Sequence, residues 1–300
     1  MKNIKYILVA FVVSAFLLSC GEEKLDTKSI FDTETSSVKN EFDTWVYNNY
    51  TVPYNIQIKY KFDDKESSNQ YNLIPAKYEN SIAMAILVKH LFLDAYTELK
   101  GADFLKKYSP RIFQYIGSGA YNADGSVIAG TAEGGLKITL YNVNTIDINN
   151  IDVNKLNDTY LKVIHHEFSH ILHQTKSYST DWNLISATNY QSGSWINVKD
   201  TAALKMGFIS PYGSSEPQED FATMVGGYLS TTDAEWQDLL NNVKAKDRVG
   251  ALAGKAILLQ KFTFIQDYMK TNWDIDIVKL KTIVLRRSSE VKTLDLKTLK

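Results

Sequence analysis

VIHHEFSHILHQ, Val163 to Gln174, holds four of the chain's five histidines around a single glutamate. Asn157, Asp158 or Thr159 can cap a helix here, and nothing from Tyr160 to Lys176 is Gly or Pro, so the spacing predicts one unbroken helix. At about 100° per residue, Leu161, Ile164, His165, Phe168 and Leu172 fall on one side, and His166, His170 and His173 on the other. His166 and His170 lie one turn apart with Glu167 beside them. This is HExxH, in which two imidazoles can converge on one zinc ion and a carboxylate can take a proton from water.

Each remaining histidine has a plainer reading. His165 shares the apolar side, where a hydrogen-bonded core residue is expected. His90, within ILVKHLFL, reads as core or helix surface. His173 lies about 10.5 Å along the helix from His166 at 1.5 Å per residue, too far for both to reach one zinc through bonds of about 2 Å. Packing, or a supporting contact, is favoured for it.

With His165 and His90 set aside, the remaining candidates for the third ligand are carboxylates downstream. In GFISPYGSSEPQEDFATMVGGYL (Gly207 to Leu229), Pro217 marks a helix start and Phe221, Met224, Val225 and Tyr228 form an apolar face. Glu219 lies opposite that face and is favoured. Glu216, at the fraying end, and Asp220, rotated to the side, are the alternatives, and the acidic cluster could also simply complement the helix dipole.

Around this core the chain is ordinary. Its 300 residues are 44% hydrophobic and 22% charged with a net charge of −1, a globular mixture without a field that would recruit nucleic acid. TVPYNIQIKYKF (Thr51 to Phe62) alternates like a strand, residues 80–99 have helical spacing, and PRIFQYIGS and SVIAGTAEGGLKITLYNVN read as further strands. GTAEGG lacks the Lys and Ser/Thr of a phosphate loop, because Leu136 and Lys137 follow it, so a hairpin turn is expected. No Gly-x-Ser-x-Gly supports a serine hydrolase. After residue 155 the pattern is helical: 157–176, 216–229, 233–243, 249–271 and 275–287. A strand-rich N-terminal part and a helical C-terminal part meeting at the histidine helix define an α+β fold.

The N-terminus reads as an export signal, residues 1–19: Lys2 and Lys5 precede an apolar run too short to span about 30 Å of bilayer. Its ending, Leu17-Leu18-Ser19-Cys20, resembles a bacterial lipobox, and Cys20 is the sole cysteine, so acylation is expected there and an intrachain disulfide is excluded. Acyl chains, worth about 0.8 kcal/mol per buried methylene, would anchor the chain without a spanning helix. Gly21-Glu22-Glu23 resembles the surface-export signal of Bacteroidetes lipoproteins, implying an outer-membrane location. Residues 20–40 are polar and aperiodic, a tether, and 41–300 shows no internal break, so one domain is expected.

Taken together, the lipobox, the Pro-Tyr-Asn-Ile segment, HHEFSHILHQ and FISPYGSSEPQEDFA resemble a family of zinc-binding metallopeptidase lipoproteins of Bacteroidetes associated with TonB-dependent nutrient import. The resemblance implies a gluzincin-like zincin fold, zinc on His166, His170 and Glu219, and a peptide or protein substrate. It also points to Tyr212 as the residue stabilising an oxyanion, with Glu167 as general base. The family commonly reads E-D-F-A-E where this chain has Thr223, which puts an outer partner of the site in question. LKITLYNVN is the candidate edge for pairing an extended substrate. The rival reading is a non-catalytic zincin-fold lipoprotein that binds nutrients or partner proteins for an import complex.

Overall fold

In the computed structural model, which describes residues 39–300 apart from 64, 66, 123–126, 129 and 134–135, the first element is helical. Helix α1 (Glu41–Val46) runs through a π-helical turn, Tyr47–Thr51, into Val52–Tyr54. The signal segment, Cys20 and nearly all of the tether lie outside the described residues.

The strand expected over Thr51 to Phe62 shortens to β1 (Gln57–Lys59). Pro53 sits in the first turn of Val52–Tyr54, where its missing N–H costs nothing, and Asn55 in the left-handed region (φ 57°) turns the chain. A second helical run follows, α2 (Tyr78–Val88), a π turn at Lys89–Leu93 and α3 (Asp94–Lys100), with α4 (Ala102–Tyr108) after it. These helices make the front half less strand-rich than its alternation suggests. They form the crossover that a parallel pairing requires, joining β1 to β2 (Ile112–Tyr115).

After β2 come β3 (Ala120–Tyr121), β4 (Val127–Ile128), β5 (Gly130–Glu133) and β6 (Lys137–Leu140). The main sheet has the order β1-β2-β6-β5. β1, β2 and β6 are parallel, whereas β5 returns antiparallel to β6 with Glu133 opposite Lys137, the hairpin expected of GTAEGG. β6 is therefore enclosed on both sides, and the free edge beside it belongs to β5. The strand expected to offer an edge is internal because its neighbour on one side, β2, arrives from a distant part of the chain.

The C-terminal half is helical: α5 (Val153–Leu156), α6 (Lys162–Thr175), α7 (Asp181–Ile185), α8 (Asp200–Met206), α9 (Pro217–Ser230), α10 (Asp233–Leu240), α11 (Arg248–Trp273) and α12 (Ile277–Glu290). Residues Glu41–Lys300 form one compact unit. Among the described residues no helix is long and apolar enough to cross a membrane.

The apolar side of α6 faces the sheet through aromatic rings. Phe168 packs edge-on to Phe92 at 5.1 Å, and Phe92 packs in turn on Phe113 of β2 at 6.2 Å. On the same side His165 is fully buried between Phe92 and Tyr96, with the Tyr96 hydroxyl 3.3 Å from its Nδ1. Burial pushes its pKa down to about 3, so it is a neutral core residue.

The other side of α6 is covered by α9, and one glycine sets how closely. A Cβ on Gly226 would lie 2.5 Å from the Lys162 carbonyl oxygen and 3.1 Å from the His166 nitrogen, both backbone atoms that cannot move aside. Gly130 similarly lets β5 approach Val163 at the start of α6. Gly226→Ala is expected to destabilise the fold by about 1–3 kcal/mol, the usual cost of overpacking. Gly193→Ala, whose Cβ meets nothing within 4 Å, is the control and should stay within about 0.5 kcal/mol in urea unfolding.

Candidate metal centre

Helix α6 is the end of a longer helical run. Asp152 caps α5 by accepting from the Lys155 N–H at 3.0 Å, and a π-helical turn, Asn157–Leu161, carries the chain into α6 without a break. The cap thus lies a full turn before the expected Asn157, Asp158 or Thr159, which sit inside the run. The Asn157 carboxamide oxygen instead accepts from the Ser288 hydroxyl of α12. Unbroken helix through residues 162–175 keeps His166 and His170 on one face.

Their Nε2 atoms lie 3.2 Å apart with rings nearly perpendicular, at 84°. Glu219, from the first turn of α9, places Oε2 3.0 Å from His166 Nε2 and Oε1 3.4 Å from His170 Nε2. Donors bound about 2.0–2.2 Å from one tetrahedral ion are spaced about 3.3–3.6 Å apart. The two imidazole nitrogens are spaced within a few tenths of an ångström of that, the Glu219 contacts fall on its two oxygens, and one donor atom from each residue lies within 4.8 Å of the others, so two imidazoles and one carboxylate form a zinc-like donor set. Glu216 and Asp220 are not part of the cluster.

The electrostatics follow from that packing. Burial works against the Glu219 carboxylate, but hydrogen bonds and charge from His166 and His170 outweigh it and hold the group well below the usual carboxylate range. Burial also works against the charged form of His170, and Glu219 more than offsets it, so its pKa is raised. Glu219 thus already favours positive charge at His170.

On its far nitrogen, His166 meets the Thr223 hydroxyl, 3.4 Å from Nδ1. Thr223 therefore occupies the place of the outer partner in question, and such contacts orient a ligating imidazole. The start of α9 is fixed from below. Trp182 donates its indole N–H to the Pro217 carbonyl at 2.8 Å. Asp220, 1% exposed, pairs with the fully buried Lys261 of α11 at 2.7 Å and accepts from the Tyr190 hydroxyl at 2.9 Å. Lys261 also donates to the Gly207 carbonyl and lies 4.0 Å over the Phe208 ring. Burial pushes the Asp220 carboxyl up to about 6 and the Lys261 ammonium down, each resisted by its partner.

The other sequence candidates fall around this centre. Glu167 is buried at 8% exposure, and its charge acts on both His170 and Tyr212. Tyr212 sits on the short 3-10 turn Tyr212–Ser214, with its ring 6.0 Å from that of His166. Burial, then the neighbouring Glu219 carboxylate, raise its pKa and keep the phenol a proton donor. His173 stacks on Tyr178 at 4.1 Å, outside the cluster. His90 donates to the Arg287 carbonyl at 2.9 Å, with Glu290 at 3.3 Å. Trp195, packed edge-on to Tyr212 at 5.0 Å, had no sequence argument behind it. The only signal was a lone tryptophan in the polar stretch QSGSWIN.

Residues 35–278 match the family described as "Putative zinc-binding metallo-peptidase". The chain belongs to that family. It is also similar to a solved structure from Bacteroides caccae ATCC 43185, titled as a putative zinc-binding metallo-peptidase. The two share 38% sequence identity with a TM-score of 0.75, over 91% of this chain and 100% of the other. No curated protein matches.

Removing one partner of a fully buried ion pair leaves the other unpaired, at a cost of about 3–5 kcal/mol. Lys261→Met is therefore expected to lower stability by that amount in urea unfolding, with Lys261→Met/Asp220→Leu recovering most of it.

Proposed function

We propose that the protein is a zinc-dependent peptidase of the HExxH type, anchored to the outer membrane through Cys20 and working beside a nutrient-import complex. The observation that carries the catalytic part is the convergence of one donor atom each from His166, His170 and Glu219, on two helices, within 4.8 Å of one another. Three protein donors leave a fourth position for water or substrate, the arrangement of a catalytic rather than a structural zinc site. Zinc held there supplies a Lewis acid and lowers the pKa of water toward about 7.

The chain's own residues do the rest. Glu167 takes the proton of the attacking water and passes it to the leaving amine. Tyr212, kept protonated by burial and by Glu219, donates a hydrogen bond to the oxygen on which negative charge develops. Thr223 holds the His166 ring in register. The free edge of β5, packed against α6 at Gly130, is where an extended peptide can add by main-chain hydrogen bonds. Anchoring and association with import rest on the lipobox and on the family resemblance.

Bound zinc and cleavage of a casein or mixed peptide substrate test this reading. Wild type, Glu167→Gln and His173→Ala should each retain one zinc, whereas Glu219→Ala should lose it. Glu167→Gln should reduce cleavage by at least about 100-fold, the contribution of a general base. Retained zinc in Glu219→Ala together with its loss in His173→Ala would overturn the ligand set. Zinc binding without any turnover in the wild type would favour the binding-protein alternative. For the anchor, Cys20→Ser is expected to move the protein from the membrane to the soluble fraction, read by fractionation of expressing cells.

A further inference from the structure

Of the five tryptophans, Trp45, Trp182, Trp236 and Trp273 are buried, and Trp195 alone is half-exposed. Single exposed apolar residues are common on protein surfaces. Trp195 is distinguished by how it is held and by where it stands.

Its turn, Ser192–Asn197, is tied to the turn that carries Tyr212. The Gln191 N–H donates to the Ser214 carbonyl at 2.7 Å and the Ser192 N–H to the Ser215 carbonyl at 3.1 Å. One residue earlier, Tyr190 bonds Asp220, the neighbour of Glu219. The loop is thereby fastened at both levels to the segment that delivers the third donor of the metal centre. At its tip the indole meets Tyr212 edge-on, at 5.0 Å and 76°, and Tyr212 in turn lies 6.0 Å from His166. The indoles of Trp45, Trp182 and Trp273 each donate to a protein oxygen, while those of Trp195 and the buried Trp236 donate to no group among the described residues, and of these two only Trp195 is open to solvent. Ser192–Asn197 carries no charge, and Ile196 beside the tryptophan is 51% exposed.

We propose that Trp195 is a substrate subsite beside the metal centre. Its ring takes a bulky apolar or aromatic side chain of an extended peptide, and its indole N–H donates to a peptide carbonyl. An aromatic platform already braced by Tyr212 pays little ordering entropy on contact, and ring–ring packing adds to the area buried. This deepens the peptidase reading and rests on it for the nature of the ligand. Glu219, Glu167 and Glu216 all act on Tyr212, so a cationic side chain is the competitor the experiment must include.

The test uses zinc-loaded Glu167→Gln protein and labelled Gly/Ser peptides with one central Phe, Ala or Arg, with binding measured by fluorescence anisotropy. The Phe peptide should bind at least about 10-fold more tightly than the Ala peptide. Trp195→Ala should collapse that difference with zinc content unchanged, and Trp195→Phe should restore most of it. In the catalytically intact protein the same substitution should raise KM for the Phe peptide more than it lowers kcat. An equal loss across the series, loss of zinc in Trp195→Ala, or an Arg preference unaffected by Trp195 would overturn the subsite. If wild type cleaves none of these peptides while the Trp195-dependent Phe preference persists, the peptidase reading fails and the subsite stands. Cleavage without any Phe preference gives the reverse.

Discussion

The structure depends on how closely α9 can lie on α6. At Gly226 a helix surface without a side chain rests on the backbone of Lys162 and His166. Glu219, Thr223 and Gly226 follow one another at i, i+4 and i+7, a single stripe of α9. Along that stripe Glu219 reaches His166 and His170, Thr223 reaches His166, and Gly226 reaches Lys162 and His166. The contacts advance along α9 as they retreat along α6, so the helices run antiparallel and one rigid contact sets the height of the carboxylate above both imidazoles. A side chain at 226 would hold the helices apart over their whole length.

Approach alone does not fix rotation about the helix axis. Adjacent residues on a helix point about 100° apart, so Glu219 and Asp220 cannot face the same way. Asp220 enters the interior and finds Lys261 and Tyr190, while Glu219 is left on the face toward α6. A buried ion pair is weak evidence for stability, since both groups lose water, and the opposed pKa shifts of the pair record that loss. Its value here is geometric. Turning α9 far enough to expose Asp220 would strand Lys261 in the core, and the same turn would carry Glu219 away from the imidazoles.

How much of this could be read from the sequence follows from the range of the interactions. HExxH, the inward turn of His165 and the choice of Glu219 over its neighbours are questions of helix periodicity, which a sequence displays directly. The five helices expected at 157–176, 216–229, 233–243, 249–271 and 275–287 were legible for the same reason, to within a few residues at most of their ends, whereas the short α7 and α8 were not expected. The short β1 was not, because alternation in TVPYNIQIKYKF outweighed the local signals of Pro53 and Asn55. Neither was the enclosure of β6, since parallel pairing with β2 is a contact between distant segments. Lys261, Tyr190 and Trp195 enter the site from loops and helices far along the chain, and no local pattern marks them. Gly226 is visible as a glycine, but its role requires knowing what lies against it.

The donor count bears on whether such a centre acts or merely holds. A zinc site built for structure closes all four positions with protein ligands, and the described residues supply three. Those three side chains are 13–17% exposed, so the centre lies at a surface rather than in the core. Close to the centre are Glu167, buried, with its charge acting on His170 and Tyr212, and the more exposed Tyr212, whose phenol is kept protonated by its surroundings. In the proposed reaction these two residues are the proton acceptor and the proton donor, roles that holding an ion does not require. Their cost is real, since a carboxylate is kept almost buried at Glu167 and an aromatic ring is kept partly in water at Tyr212. On the proposed reading, chemistry on a bound substrate gives both residues a function, whereas passive binding would leave them without one.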